Sequence, residues 1–208
     1  TEMLDTQFAT QMSGLRGGAW EVIARQPERQ MSGAVPAVPA QPATPAAAAA
    51  PVKTSGRQAD FVHQHSAAAQ AAEATSGIPA AFMLAQAAHE SGWGQREIRH
   101  ADGSPSHNLF GIKAGANWKG AVAEVTTTEY VDGQPRKVSA KFRAYASAAE
   151  SFADYATLMK TSPRYTGVLA NAGSAEGFAQ GLQRAGYATD PAYAEKLTKA
   201  INTTLRVQ

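Results

Sequence analysis

The feature that most limits the fold of this chain is a proline- and alanine-rich segment near its N-terminus. Residues 33–52 contain five prolines among twenty residues and no charged side chain. A composition of this kind favours an extended, polyproline-like chain over packed structure. We therefore predict a linker at 33–56, which separates a short N-terminal segment, 1–32, from a C-terminal domain at 57–208.

The N-terminal segment carries a helical pattern. Leu4, Phe8 and Met12 recur at helical spacing, and Trp20 lies in a second apolar cluster. A segment this short cannot bury a core of its own. We interpret residues 1–32 as the helical remnant of a larger N-terminal domain.

Composition excludes several classes of function. With 19 basic and 17 acidic residues the formal net charge is only +2, which is too small to indicate nucleic-acid binding. No run approaches the roughly 20 apolar residues of a membrane span, so we predict no membrane insertion. The first residues lack the basic and apolar regions of a secretory signal. The chain has no cysteine and its histidines form no HExxH pattern, so we predict no metal site and no cofactor.

The C-terminal domain begins with helical patterns and then changes to a β pattern. Residues 58–75 are predicted to be helical, and Pro79 is placed to start a second, mostly apolar helix that ends at Gly92. Residues 121–145 are rich in Val, Thr, Tyr and Phe on either side of the turn sequence Asp-Gly-Gln-Pro. Two segments of this composition, joined by a turn sequence, predict a β-hairpin.

Three further helices are predicted after the hairpin. Ser147 and Glu150 have the spacing of a capping box at the start of the first. Ser174 can cap the second, and Asp190 followed by Pro191 can open the third. The predicted fold class is therefore α+β, mostly helical, with one small β-hairpin lobe.

Glu90 is the first candidate for chemistry. It lies in the last turn of the apolar helix, where the negative end of the helix dipole and limited solvation both favour a protonated carboxyl. A raised pKa is what a general acid needs. Gly92 and Gly94, on either side of Trp93, would leave open backbone beside an aromatic face suited to a sugar ring. The alternative is a partly exposed glutamate at a helix end, which is common in any protein.

A glycosidase needs a second carboxylate, or its equivalent, across the scissile bond. Glu129 is the candidate, because period-two alternation places it near the tip of the first hairpin strand on the same face as Val125 and Thr127. Glu124 falls on the other face and is the weaker choice. The alternative for Glu129 is a charge that protects a strand edge from aggregation.

Aromatic and amide side chains could line a saccharide groove. Trp93, Trp118 and Tyr130 are predicted to present flat faces to sugar rings, and Asn108 to hydrogen-bond an N-acetyl group. The alternative for each aromatic residue is a place in the core. Further aromatic candidates are Tyr145, Tyr165 and Tyr187.

Several motifs, in order, resemble the glucosaminidases of glycoside hydrolase family 73. They are AQAAHESGWGQ at 85–95, NLFGIKA at 108–114, WKG at 118–120, TTTEYVDG at 126–133, FRAY at 142–145 and AGYATDPAYAEKL at 185–197. Within that family, their order is similar to the C-terminal domain of flagellar peptidoglycan hydrolases. One departure is His89, where the family more often has an apolar residue.

The resemblance implies a lysozyme-like fold and an endo-β-N-acetylglucosaminidase that cleaves the β-1,4 bond between N-acetylglucosamine and N-acetylmuramic acid. By position, Glu90 matches the family's acid and Glu129 the second acidic residue on the β-lobe. Tyr187 matches a tyrosine that faces the cleft and could orient water or the acetamido group. The alternative for Tyr187 is a buried phenol near a helix start.

The resemblance also implies partners and a location. The substrate would be the glycan strands of peptidoglycan, opened so that the flagellar rod can pass. Residues 1–32 resemble the end of a rod-capping domain, which implies contact with flagellar rod proteins and a periplasmic location reached through the flagellar apparatus. Two other functions stay open, namely a lytic transglycosylase that gives an anhydro-sugar product and a non-catalytic wall-binding module. Inverting, retaining and substrate-assisted mechanisms also stay open.

Overall fold

The computed structural model describes residues 53–131 and 134–208, with side chains over 56–126 and 134–208. The predicted N-terminal helical segment and most of the predicted linker lie outside the described residues. The first helix begins at Lys53, inside the last part of the predicted linker.

The described residues form a helical body and one two-stranded antiparallel sheet. The elements are α1 (Lys53–Ser76), α2 (Ala80–Ser91), β1 (Val122–Val131), β2 (Gln134–Arg143), α3 (Ala148–Thr161), a 3-10 turn (Pro163–Tyr165), α4 (Thr166–Ala170), α5 (Ala175–Arg184) and α6 (Tyr193–Val207). The predicted α+β class is confirmed, whereas the 3-10 turn and α4 were not predicted. None of the helices in the described part of the chain combines the length and hydropathy of a membrane span.

Helix α2 is the centre of the domain. It packs against α1 and α6, and the side chains from Ala80 to Ala88 are all buried. An apolar helix with no polar face is stable only when neighbours cover it on all sides. The helix starts directly after Pro79, and it ends at Gly92, whose left-handed backbone sends its amide to the carbonyl of Ala88. Both predicted ends are confirmed.

The caps predicted for two of the later helices are present. The Ser147 hydroxyl accepts a hydrogen bond from the Glu150 amide at the start of α3. The Ser174 hydroxyl accepts one from the Gly177 amide at the start of α5. These bonds satisfy amides that the first helical turn leaves without partners.

The hairpin has one buried and one exposed face. Its register pairs Val122 with Arg143 at the base and Val131 with Gln134 at the tip. Ala123, Ala140 and Phe142 are buried, whereas Glu124 and Lys141, next to them along the strands, are exposed. Because successive residues of a strand alternate between faces, residues 125, 127 and 129 share the face of Ala123.

Asp154 on α3 anchors the base of the hairpin. Its Oδ2 accepts hydrogen bonds from the Arg143 guanidinium at 3.0 Å and from the Tyr145 hydroxyl at 2.5 Å. Burial, together with this carboxylate, raises the pKa of Tyr145 well above its ordinary value. The Arg143 amide also donates to the Ile112 carbonyl at 3.0 Å. The strand that follows the tip is thereby joined both to a helix and to the loop before the hairpin.

Candidate active site

Glu90 occupies the last turn of α2, where the chain turns sharply. Gly92, Trp93 and Gly94 have φ angles of 59°, 58° and 80°, so three successive residues adopt the left-handed region that L side chains disfavour. The Ser91 hydroxyl accepts from the Gly94 amide at 3.0 Å and donates to the Ala87 carbonyl at 2.6 Å. This turn fixes the end of the helix directly after the Glu90 carboxyl.

The two oxygens of the Glu90 carboxyl have different surroundings. Oε1 accepts a hydrogen bond from the Tyr193 hydroxyl at 3.2 Å. Oε2 lies beside Gly111, where a Cβ atom would be 3.9 Å away, and within the described residues it has no hydrogen-bond partner. Among the described residues, no other atom beyond the chain neighbours of Gly111 lies within 4 Å of that position, so the glycine leaves room beside the unpaired oxygen.

Burial raises the pKa of Glu90 to near neutrality. Desolvation raises the pKa of Glu90 from 4.5 to about 7, while the Tyr193 hydrogen bond and the positive charge of Arg96 act in the opposite direction. The side chain remains partly exposed. A carboxyl that still holds a proton at neutral pH and can be reached from solvent is suited to general acid catalysis.

A chain of hydrogen bonds leads from the core to Glu90. The Tyr155 hydroxyl donates to Gln86 Oε1, Gln86 Nε2 donates to the Tyr193 hydroxyl at 3.4 Å, and Tyr193 donates to Glu90. Gln86, Tyr155 and Tyr193 are all fully buried. The Phe110 ring stacks on Tyr155 with centroids 4.2 Å apart. The network is closed to solvent and closely packed on its inner side.

The predicted cleft residue Tyr187 lies next to this network. Its ring centroid is 6.2 Å from that of Tyr193, and its hydroxyl donates to the Phe110 carbonyl at 2.7 Å. Burial is the main cause that raises the pKa of Tyr187, and the nearby charge of Glu90 adds to it. Tyr187 is therefore close to Glu90, with its hydroxyl hydrogen held by the backbone.

The hairpin register places Glu129 and Tyr130 on different faces. Residue 129 lies opposite Arg136 and shares the face of Ala123, which is buried at the hairpin base. Tyr130 lies opposite Pro135 and shares the exposed face. The two predicted site residues of the hairpin tip therefore do not share a face. Residue 129 lies on the face whose residues are buried against the domain at the base of the hairpin.

Asn108 is a buried clamp between backbone segments. Its Nδ2 donates to the carbonyls of Ile112 and Arg143, each at 2.8 Å, and its Oδ1 accepts from the Ile112 amide at 3.2 Å. Both amide hydrogens are thus used, and the residue is 3% exposed. Asn108 consequently has no donor left for the hydrogen bond to an N-acetyl group that was predicted from the sequence. It holds the loop before the hairpin against strand β2.

The two predicted tryptophans are half-buried. Trp93 contacts Phe61 edge to face, with centroids 5.8 Å apart. Trp118 donates from Nε1 to the Ala121 carbonyl at 2.8 Å, and the Arg143 guanidinium lies 4.6 Å from its ring centroid. Both indoles are held by contacts within the domain and keep an exposed part.

A separate cavity of about 280 Å³ opens between the ends of α1 and α2 and the middle of α6. His89, Arg96 and Lys199 contribute to its lining, whereas Glu90 does not. Successive residues of an α-helix are rotated by about 100° about its axis, so the side chains of residues 89 and 90 project in different directions. The cavity is therefore distinct from the surroundings of the carboxyl.

Sequence reasoning missed Gln86, Tyr155 and Tyr193. Gln86 has a local signal, because it is a lone amide in an apolar helix one turn before Glu90, and residues four apart share a helix face. The tyrosines have no such signal. Their contacts join residues 69 and 103 positions apart along the chain.

Fold and site together define a glycoside hydrolase domain of the lysozyme-like type, with a helical body, a small β-lobe and a protonatable glutamate at the end of the central helix. The chain belongs to the glucosaminidase family, whose pattern, described as "Mannosyl-glycoprotein endo-beta-N-acetylglucosaminidase", matches residues 66–205. The family resemblance and the lysozyme-like fold predicted from the sequence are both confirmed.

Individual relatives agree with this assignment. The chain is 57% identical over 141 residues to the peptidoglycan hydrolase FlgJ of Escherichia coli K12, covering 68% of this chain and 45% of that protein. It is 37% identical over 125 residues to the exo-glucosaminidase LytG of Bacillus subtilis, covering 58% and 42%. A truncated glycoside hydrolase domain of Salmonella typhimurium FlgJ matches with a TM-score of 0.61 at 52% identity, over 70% of this chain and 95% of that one. The chain spans about half the length of the FlgJ proteins from E. coli and Salmonella.

Proposed function

We propose that this domain hydrolyses the β-1,4 glycosidic bond of peptidoglycan as an endo-β-N-acetylglucosaminidase, with Glu90 as the proton donor. The observation that carries the proposal is the Glu90 carboxyl itself. Its pKa of about 7 and its unpaired Oε2 beside Gly111 suit a group that must hold a proton and then release it.

In the proposed reaction, the proton on Glu90 moves to the glycosidic oxygen while the bond from that oxygen to the sugar C1 breaks. The leaving sugar takes the proton, and Glu90 becomes a carboxylate. The Tyr193 hydrogen bond and the charge of Arg96 both favour that carboxylate, so they act more strongly as negative charge develops on Glu90.

We propose that the positive charge on C1 is stabilised by Glu129, by the acetamido group of the substrate, or by both. Support for Glu129 is its hairpin register, which places it on the face that is buried at the base, whereas Glu124 lies on the exposed face beside Ser139. Tyr187 is proposed to orient the attacking water or the acetamido N–H as a hydrogen-bond acceptor, because its own hydrogen is held by the Phe110 carbonyl; its closeness to Glu90 supports that role.

The wider biological role is also a proposal. The FlgJ relatives are peptidoglycan hydrolases by name, so peptidoglycan glycan strands are the proposed substrate. We propose periplasmic action during flagellar assembly, with residues 1–32 contacting rod proteins. Removal of those residues should then abolish binding to purified rod proteins and leave wall hydrolysis unchanged.

Mass spectrometry of digested wall material tests the reaction. The proposed activity gives fragments with a reducing N-acetylglucosamine end. A lytic transglycosylase would instead give anhydro-muramic ends, and a wall-binding module would give saturable binding with no fragments. Either of those outcomes rejects the proposal.

Paired variants test the two carboxylates. Glu90→Gln should abolish release of fragments, while Glu97→Gln, which removes an acid on the following loop whose carboxylate lies 3.7 Å from Arg99, should not. Glu129→Gln should cost as much as Glu90→Gln if Glu129 activates water, and less if the acetamido group participates. Glu124→Gln is the matched control on the other face of the hairpin. Full activity of Glu129→Gln would remove Glu129 from the mechanism.

A further inference from the structure

Gln86 is a buried amide whose two ends are both engaged. It lies one turn before Glu90 on α2 and has no exposed surface. Its oxygen accepts from the Tyr155 hydroxyl, and its nitrogen donates to the Tyr193 hydroxyl at 3.4 Å. A buried polar side chain with two fixed partners has one favourable orientation.

These contacts set the direction of the next hydrogen bond. A tyrosine hydroxyl has a single hydrogen. Because the Tyr193 oxygen accepts from Gln86, its own hydrogen is free to point at Glu90 Oε1, 3.2 Å away. Oε1 is therefore held as an acceptor, and the proton of a neutral Glu90 must lie on Oε2. That oxygen is the one beside Gly111, and among the described residues no other side chain, apart from the chain neighbours of Gly111, lies within 4 Å of a Cβ placed at that glycine.

We infer that Gln86 is a positioning residue that acts through Tyr193 to hold the acidic proton of Glu90 on Oε2, where a glycosidic oxygen can receive it. This inference rests on the proposed role of Glu90 as proton donor. Without the Gln86 amide, the Tyr193 hydroxyl is free to rotate and to accept a hydrogen bond from a Glu90 carboxyl that is protonated on Oε1, so the acidic proton points into the core and away from substrate.

The inference predicts a kinetic signature for Gln86→Leu. The variant should lower kcat about tenfold and change KM by less than about twofold, because an oriented hydrogen bond to a developing charge is lost while the sugar-binding surface is kept. Tyr193→Phe should show the same split. The double variant should be no worse than Tyr193→Phe alone, because Gln86 acts only through the Tyr193 hydroxyl.

A second variant guards against a folding defect. Tyr155→Phe removes only the hydroxyl that fixes the Gln86 oxygen, so the amide can rotate. Its kcat should be lower than that of wild type and higher than that of Gln86→Leu. Thr204→Val is the matched control, since Thr204 is a buried polar residue on α6 that bonds only its own helix at the Ala200 carbonyl. It should leave kcat and KM unchanged.

A measurement that needs no activity separates this inference from the proposed function. Carbon-13 NMR of the labelled Glu90 carboxyl should give a higher pKa in Gln86→Leu than in wild type, because the freed hydroxyl no longer always donates to the carboxylate. The other titratable groups around Glu90 are His89, Arg96, Tyr155, Tyr187 and Tyr193, and all of them are retained in Gln86→Leu.

Three results would overturn the role of Gln86. They are an unchanged Glu90 pKa in Gln86→Leu, an unchanged kcat, and a loss that is the same with and without the Tyr193 hydroxyl. A wild-type protein that releases no sugar from wall material would instead reject the proposed function. In that case the NMR titration would still report the orientation of the Glu90 carboxyl.

Discussion

Replacing Glu90 with glutamine should stabilise the protein at alkaline pH and not at acid pH. The pKa of Glu90 is raised in the folded state from 4.5 to about 7. Its favourable effect on stability is therefore fully present below pH 4.5 and is lost as the pH rises through 7. A shift of about 2.5 units corresponds to about 3.4 kcal/mol at roughly 1.4 kcal/mol per unit. Because the side chain is partly exposed, we expect about 2–3 kcal/mol.

Urea unfolding of wild type and Glu90→Gln at a series of pH values measures this difference directly. The two proteins should have nearly equal free energies of unfolding at pH 4, since a glutamine amide oxygen can accept the Tyr193 hydrogen bond as a neutral carboxyl does. The variant should then gain stability between pH 4.5 and 7 and keep the gain above that range. A difference that does not change with pH would refute the claim that the folded protein holds a proton on Glu90. Glu97→Gln, on the surface loop, serves as the control with no such pH dependence.

Three other perturbations have defined outcomes. Gly111→Ala should lower kcat/KM at least tenfold, because a Cβ would lie 3.9 Å from Oε2 of Glu90 and the backbone has φ +66°. An unchanged kcat/KM on wall material would contradict the proposal that substrate approaches Oε2 past Gly111. Asp154→Asn should lower the free energy of unfolding by about 1–2 kcal/mol and raise KM, since Arg143 and Tyr145 both bond this carboxylate; thermal unfolding and kinetics report it. Ser147→Ala should cost about 1 kcal/mol through loss of the α3 cap with kcat unchanged, as measured by urea unfolding and wall digestion.

Local chemistry made Glu90 predictable from the sequence. The apolar run of α2, its end at Gly92 and the position of the carboxyl in the last turn are all properties of about twelve neighbouring residues. The direction of the pKa shift was predictable too, because an acid on an apolar, central helix is expected to be desolvated, and desolvation is its largest cause. The hairpin was predictable for a similar reason, since a period-two pattern and the turn sequence Asp-Gly-Gln-Pro lie within one short stretch.

Contacts between distant segments were not predictable from the sequence. Helical spacing indicates that Tyr155 and Tyr193 are buried, but it does not tell which hydroxyl meets which acid. Asn108 shows the opposite case, in which a substrate contact was predicted and a structural one is found. Its amide, predicted to bind an acetamido group, donates instead to two backbone carbonyls that the fold brings together. Helix α4 was missed because five residues are too few to show a helical period.

The central claim, that Glu90 donates the proton, is tested most directly by changing the leaving group. A dinitrophenyl glycoside of N-acetylglucosamine oligomers needs no proton on its departing oxygen, whereas wall glycan does. We predict that Glu90→Gln loses a factor of about 10²–10⁴ in kcat on wall glycan and less than about tenfold on the aryl glycoside. An equal loss on both substrates would contradict the assignment of Glu90 as the general acid.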